Sequence, residues 1–221
     1  MIAQELINNN LPVLHCNDTG AKALNIMDSF KVSHLPVLSN GQYVGLISDT
    51  MIYDNEMEMC ELKDKIKAVS APFVRNNQHL YEVMHVFNEL KITVLPVLYL
   101  NDDYCGSICV ADLTDSISGL FSVHEPGAVI VLELRRNDYS LTQIAQIVES
   151  NDAKILSLYT QSPPDSMELD VSIKLNVSDV SSIVETFVRY DYNIKAVYAD
   201  NSVLHDMYNE RYDMFMKYIN F

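Results

Sequence analysis

The chain repeats itself. Moved along by 60 positions, residues 12–38 fall on 72–98: Pro12 on Pro72, Asn17 on Asn77, Lys31 on Lys91, and Leu35-Pro36-Val37-Leu38 on Leu95-Pro96-Val97-Leu98. After a one-residue gap, Gly45 meets Gly106 and Ile47 meets Ile108. Self-similarity at such a period marks a duplicated supersecondary unit, and no other feature of the sequence limits the fold as strongly. The apolar pattern repeats as well. Ala23, Ile26, Met27 and Phe30 are spaced i, i+3, i+4, i+7, as are Val83, Val86, Phe87 and Leu90, which predicts one buried helix face in each copy. Each helix leads into a β-branched and aliphatic run, a turn (Ser39-Asn40-Gly41 or Asn101-Asp102-Asp103) and a second strand. The unit therefore reads strand, helix, strand, turn, strand, helix. Neither copy alone buries its apolar face well, so the two are expected to pack as one domain.

This pattern closely resembles the CBS (cystathionine-β-synthase-type) repeat. The match is carried by Val32-Ser33-His34-Leu35-Pro36-Val37 with Gly45-Leu46-Ile47-Ser48, and by Leu95-Pro96-Val97 with Gly106-Ser107-Ile108-Cys109-Val110-Ala111-Asp112-Leu113. The resemblance implies a tandem pair over residues 1–120, with repeats at about 1–60 and 61–120. It also implies an adenine nucleotide or related adenosyl ligand in the cleft between repeats. In the family pattern Gly-x-h-Ser/Thr-x-x-Asp the hydroxyl and the carboxylate contact phosphate and ribose. A carboxylate accepts from both hydroxyls of a ribose, and a Ser or Thr hydroxyl donates to phosphate. Here the pattern is split. The first copy keeps the hydroxyl, Ser48, but has Met51 in place of the acid; the second keeps the acid, Asp112, but has Cys109 in place of the hydroxyl. Candidate ligand-binding residues are Asp112, Cys109, Ile108, Gly106 and Pro96 in the second copy, and Ser48, Ile47 and Pro36 in the first. Asp112 is the best single candidate for a ribose contact. The competing expectation is that it caps a helix beginning near Leu113. His34, replaced by Val94 in the second copy, is expected to be structural and not a titrating sensor.

From about Gly127 the rhythm changes. Residues 121–126 read as a linker. Beyond it AVIVLELR is β-rich, SLTQIAQIVES has helical spacing, AKILSLYTQ is a strand, and Met167, Leu169, Val171, Ile173 and Leu175 alternate. Ser178-Asp179-Val180 opens a second helix and NIKAVYA closes as a strand. Residues 127–199 thus follow a ferredoxin-like βαββαβ order, and the fold class is α+β. After a CBS pair this looks like an ACT-type domain, and the combination resembles acetoin-utilisation B-type regulatory proteins. ACT ligand sites often use a Pro-Gly-type turn between the first strand and helix, where this chain has Asn137-Asp138-Tyr139-Ser140. Either Asp138 or Ser140 can cap the helix there. The module is therefore expected to serve assembly first and amino-acid sensing second. Residues 200–221 carry an apolar-aromatic stripe at helical spacing, expected to be an amphipathic helix that covers its own domain or a neighbouring subunit.

A net charge of −15 argues against nucleic acid as the main partner, since phosphate binding depends on Lys and Arg. No apolar run approaches the ~20 residues of a membrane span, and the N-terminus lacks the basic start of a secretory signal, so a cytoplasmic location is expected. Cys16, Cys60, Cys105 and Cys109 are expected to be free thiols, and no metal site or cofactor is anticipated. No P-loop, GxSxG, HExxH or GxGxxG string occurs, so the expected role is non-catalytic. The sequence therefore leads first to a regulatory module whose ligand changes the packing of a homodimer or of a partner protein. The alternative is a ligand-independent homodimeric assembly protein with decayed CBS sites. A third, weaker possibility is a redox sensor built on Cys109.

Overall fold

A computed structural model describes residues 1–64, 70–163 and 167–199. The expected C-terminal helix, residues 200–221, lies outside the described residues. The chain forms two compact units, Met1–Ser116 and Ile117–Phe221.

The first unit contains the duplication as two three-stranded sheets. The first copy runs β1 (Leu14–His15), α1 (Gly20–Phe30), β2 (His34–Ser39), β3 (Gln42–Ser48) and α2 (Asp49–Asp54). The second runs β4 (Val74–Arg75), α3 (Leu80–Leu90), β5 (Val94–Leu98), β6 (Tyr104–Cys109) and α4 (Val110–Leu120). The sheet orders β1-β2-β3 and β4-β5-β6 match, each with one parallel and one antiparallel pairing. Both long helices end at a lysine in the left-handed region, Lys31 (φ 56°) and Lys91 (φ 52°), so the duplication extends to the backbone turn that closes each helix. Asn40 (φ 50°) and Gly41 (φ 84°) form the two-residue hairpin loop between β2 and β3, where Ser39 pairs with Gln42. Two successive positive φ values are what the Asn-Gly pair supplies most readily. The second hairpin has a longer connection, with Asp102 at φ 69°.

Two short 3₁₀ segments, Ala3–Leu6 and Leu62–Asp64, precede the copies, and each packs on the copy it does not belong to. The Ala3 and Gln4 N–H groups donate to the Gln78 and Asn76 carbonyls of the second copy. The Leu62 and Lys63 N–H groups donate to the Asp18 and Cys16 carbonyls of the first. Leu62 is wholly buried in the core with Leu14, Ala23, Leu35, Val37, Ile47 and Ile52. Val94 and Cys109 of the second copy belong to the same core. The two copies thus share apolar surface as well as backbone hydrogen bonds, as expected of units too small to close their own cores.

The second unit has the βαββαβ order: β7 (Val129–Arg135), α5 (Leu141–Glu149), β8 (Ile155–Gln161), β9 (Glu168–Leu175), α6 (Ser181–Arg189) and β10 (Asn193–Tyr198). Its antiparallel sheet has the order β10-β7-β9-β8, a ferredoxin-like arrangement. Ile130, Leu132, Val171 and Ile173 alternate onto one face and pack with Ile144, Ile147 and Val148 of α5 and Ile183, Val184 and Phe187 of α6. Ser140, not Asp138, caps α5: its hydroxyl accepts from the Gln143 N–H at 3.3 Å. The start of α6 is Ser181, later than Ser178-Asp179-Val180 implied. The Asp179 carboxylate accepts from both the N–H and the hydroxyl of Ser181. The stretch expected as a linker has contacts of its own. The Phe121 ring meets Tyr159 edge-on at 5.3 Å, and the Phe121 carbonyl accepts from the Ser157 hydroxyl.

Candidate functional site

The candidate residues lie at the ends of the two antiparallel hairpins of the first unit. In the first copy Pro36 pairs with Leu46, Leu35 with Ile47, and His34 with Ser48. In the second copy Pro96 pairs with Ser107, Leu95 with Ile108, and Val94 with Cys109. The prolines are buried, and Ile47 and Ile108 are inaccessible to solvent. The chain leaves each hairpin directly into a helix, α2 or α4. Ser48 and Cys109 are therefore both the residue just before a first helical turn, and Met51 and Asp112 both sit within that turn.

From this equivalence the two half-sites diverge. In the first, the Ser48 hydroxyl accepts from the Met51 N–H at 3.1 Å and bonds the Thr50 hydroxyl at 2.9 Å, so it acts as the helix cap. In the second, Asp112 is not a cap. The helix begins at Val110, three residues earlier than Leu113, and the Val110 N–H is already satisfied by the Thr93 carbonyl. The Asp112 carboxylate instead accepts from Asn8 Nδ2 at 2.8 Å and lies beside Cys109, whose thiol its charge helps keep protonated. Asn8 approaches along the segment that leads into the first copy, where its N–H donates to the Ser107 carbonyl. The Asn8 side-chain oxygen accepts from the Asn10 N–H at 2.8 Å, which fixes the orientation of the amide. Gly106 permits this approach, because a Cβ there would overlap the Ile7 side chain. Asp112 is half-buried, and a carboxylate has acceptor positions beyond the one that Asn8 takes among the described residues.

Burial, then the neighbouring Asp112 charge, push the Cys109 thiol up to about 12. At pH 7 that leaves a thiolate fraction of about 10⁻⁵. Cys109 is 6% exposed, so it lacks both the access and the ionisation that a redox sensor requires.

Between the copies, Ser33 and Thr93 occupy equivalent positions and meet. The Thr93 hydroxyl accepts from the Ser33 N–H at 2.9 Å and lies 3.1 Å from His34 Nδ1, which accepts from the Thr93 N–H at 3.3 Å. Burial lowers the His34 pKa, partly opposed by Asp49. His34 is thus a neutral acceptor bridging the copies. Neither Asn8 nor Thr93 was among the sequence candidates. The 60-residue register that places Thr93 on Ser33 pointed to one of them, and nothing local pointed to the other.

In the second unit a cavity of about 330 Å³ is lined by Glu133, Leu134, Arg135, Asp138, Gln143 and the turn Tyr190–Asn193. The Tyr192 hydroxyl donates to Gln143 Oε1 at 2.9 Å across it. Among the described residues no group of three or more His, Cys, Asp or Glu converges as a metal site would require. No described helix is long and apolar enough to cross a membrane.

Comparison with known proteins places a CBS domain at residues 3–57. Two curated relatives are homoserine O-acetyltransferases. The one from Methanobrevibacter ruminantium is 25% identical over 55% of this chain and 24% of its own. The one from Methanococcus vannielii is 25% identical over 53% of this chain and 25% of its own. The chain thus spans about a quarter of the length of the curated relatives it matches. Among solved structures, a CBS domain pair/ACT domain protein from Thermotoga maritima is 18% identical, with a TM-score of 0.47 over 54% of this chain and 98% of its own. CBSX2 in complex with AMP is 20% identical, with a TM-score of 0.45 over 53% of this chain and 96% of its own. The CBS domain model thus matches the first copy, and the second copy repeats that copy's element order, strand register and helix-end geometry.

Proposed function

We propose that the chain is a non-catalytic regulatory module whose CBS pair, residues 1–120, binds an adenine nucleotide or related adenosyl ligand at the Asp112 half-site. The observation that carries this is the Asn8–Asp112 bond. It holds the motif carboxylate at the mouth of a helix, half-exposed, using a side chain 104 residues away. Four structural elements therefore respond to whatever displaces or reinforces that bond: the leading segment, β6, α4 and, through Cys109, the shared core. A ligand that binds one packing of the copies better than another shifts the equilibrium between them, and only that difference in affinity does regulatory work. Residues 127–199, read as an ACT-like domain, or a partner protein would receive the change, in a homodimer. Acetyl transfer is not proposed for this chain, whose match occupies a quarter of the acetyltransferases it resembles.

The test is a thermal-shift panel of adenosine, AMP, ADP, ATP and S-adenosylmethionine, with light scattering to follow mass. A ligand at 100 times its Kd adds about 2.7 kcal/mol, a shift of several degrees. Stabilisation that Asp112→Ala abolishes supports the proposal; a panel without any shift overturns it. A second function is favoured by the first half-site, where Ser48 is consumed as a cap and Met51 replaces the acid. That is an assembly protein with decayed CBS sites. It calls for a mass in solution that is a dimer with and without every member of the panel.

A further inference from the structure

We infer that the Asp112 half-site selects a ribonucleoside without a 5′ phosphate, neutral or cationic, over any phosphorylated one. This rests on the assignment of the site made above and narrows its ligand class. The site offers a ribose what it needs. A carboxylate has about four lone-pair positions, and among the described residues Asn8 is the hydrogen-bond donor recorded on it, which leaves room for a cis-diol. Among the described residues it offers a phosphate no basic side chain, only the backbone N–H groups of the first turn of α4. The position that would carry the donating hydroxyl is Cys109, 6% exposed and with a thiol that is only a weak donor. The leading segment beside it, Ile7-Asn8-Asn9-Asn10, is uncharged, and the Asn8 amide is committed at both ends.

Charge leads to the same conclusion. Charged phosphates are recognised most strongly by Arg or Lys. The described basic side chains of Met1–Ser116 are engaged elsewhere: Lys22 with Asp18 at 2.7 Å, Lys31 with Asp28 at 2.8 Å, Lys63 with Glu61 at 2.5 Å and Arg75 with Asp102 at 2.6 Å. Lys91 bonds Asn88 at 2.9 Å. None of these pairs lies on the elements that form the half-site. Asp115 adds an exposed carboxylate three residues beyond Asp112, on the same helix face. A polyphosphate placed against Asp112 meets like charge, whereas a neutral or cationic nucleoside does not.

The experiment is isothermal titration calorimetry of the full chain with adenosine, S-adenosylmethionine, AMP and ATP, repeated on Asp112→Asn and Cys109→Ser. Adenosine or S-adenosylmethionine should bind at least tenfold more tightly than AMP or ATP. Asp112→Asn should weaken that binding at least tenfold. Cys109→Ser, which returns the hydroxyl, should narrow the gap by raising affinity for AMP. AMP or ATP binding more tightly than adenosine overturns the inference and leaves the regulatory assignment standing. Binding by none of the four overturns the assignment and the inference together. Adenosine binding untouched in a folded Asp112→Asn protein, shown by an unchanged circular dichroism spectrum, places the ligand elsewhere and overturns the inference.

Discussion

His34 shows how one side chain ties the two copies together and what that costs in acid. Its Nδ1 accepts from Thr93, and burial lowers its pKa below the ordinary 6.5. The unfolded chain therefore binds a proton at a higher pH than the folded chain does. Linkage then makes stability fall as pH drops through 6.5 toward the lower folded value, and leaves it unaffected above that window. Asp49 works against the shift without reversing it. The expected result is a melting temperature that declines between pH 6.5 and 5 in the wild type and declines less in His34→Gln. Equal slopes in the two proteins would show that the acid sensitivity lies in other groups. The cysteines give a second expectation at this scale. Cys60 is exposed, whereas Cys109 is buried, and burial with the neighbouring Asp112 charge holds its thiol protonated. A neutral alkylating reagent at pH 7.5 should modify Cys60 first and reach Cys109 only under denaturant. Mass mapping that finds Cys109 labelled in the native protein would revive the redox possibility.

At the scale of elements, positions that look alike in sequence have different physical reasons. Gly41 has φ 84° and open space around its missing Cβ, so Gly41→Ala carries only the backbone cost, about 1 kcal/mol. Gly127, at φ 144°, lies against the Leu175 carbonyl, which a Cβ would overlap. Gly127→Ala should cost more than ~2 kcal/mol, because strain and displacement of β9 add. Urea titrations of the two variants separate these cases, and equal losses would contradict the packing at Gly127. Both hairpins, both long helices and the βαββαβ order were legible in the sequence, because each is a local pattern of period 2 or 3.6, punctuated by turn residues. The true start of α4 was not. Asp112 resembles a cap, but the helix begins at Val110, whose N–H is taken by the carbonyl of Thr93 just before β5, and that partner leaves no trace in the local pattern. The candidate site divided in the same way. Ser48, Cys109 and Asp112 stood out through the repeat, whereas Asn8, the partner that defines the half-site, sits in a polar run with no period.

The whole of the first unit is held by an exchange that neither copy could complete alone. Residues 1–8 give the second copy the Ala3, Gln4 and Asn8 amides and accept from Leu80 through the Met1 carbonyl. Residues 62 and 63 make the equivalent bonds to the first copy, and Leu62 completes its core. Such reciprocity makes the pair one cooperative unit, because loosening either leading segment damages the copy on which it packs. A chain lacking residues 1–8 loses these four backbone hydrogen bonds, about 1 kcal/mol each, together with the burial of Ala3 and Leu6. The expected damage is therefore greatest far along the sequence. Hydrogen exchange should show the Leu80 amide and the first turn of α3 losing protection. Leu62→Ala should cost about 2–5 kcal/mol and expose α1 and β1 instead. If the truncated chain kept full protection at Leu80, the two copies would be independent domains. A ligand at Asp112 would then have no route through the leading segment to the rest of the pair.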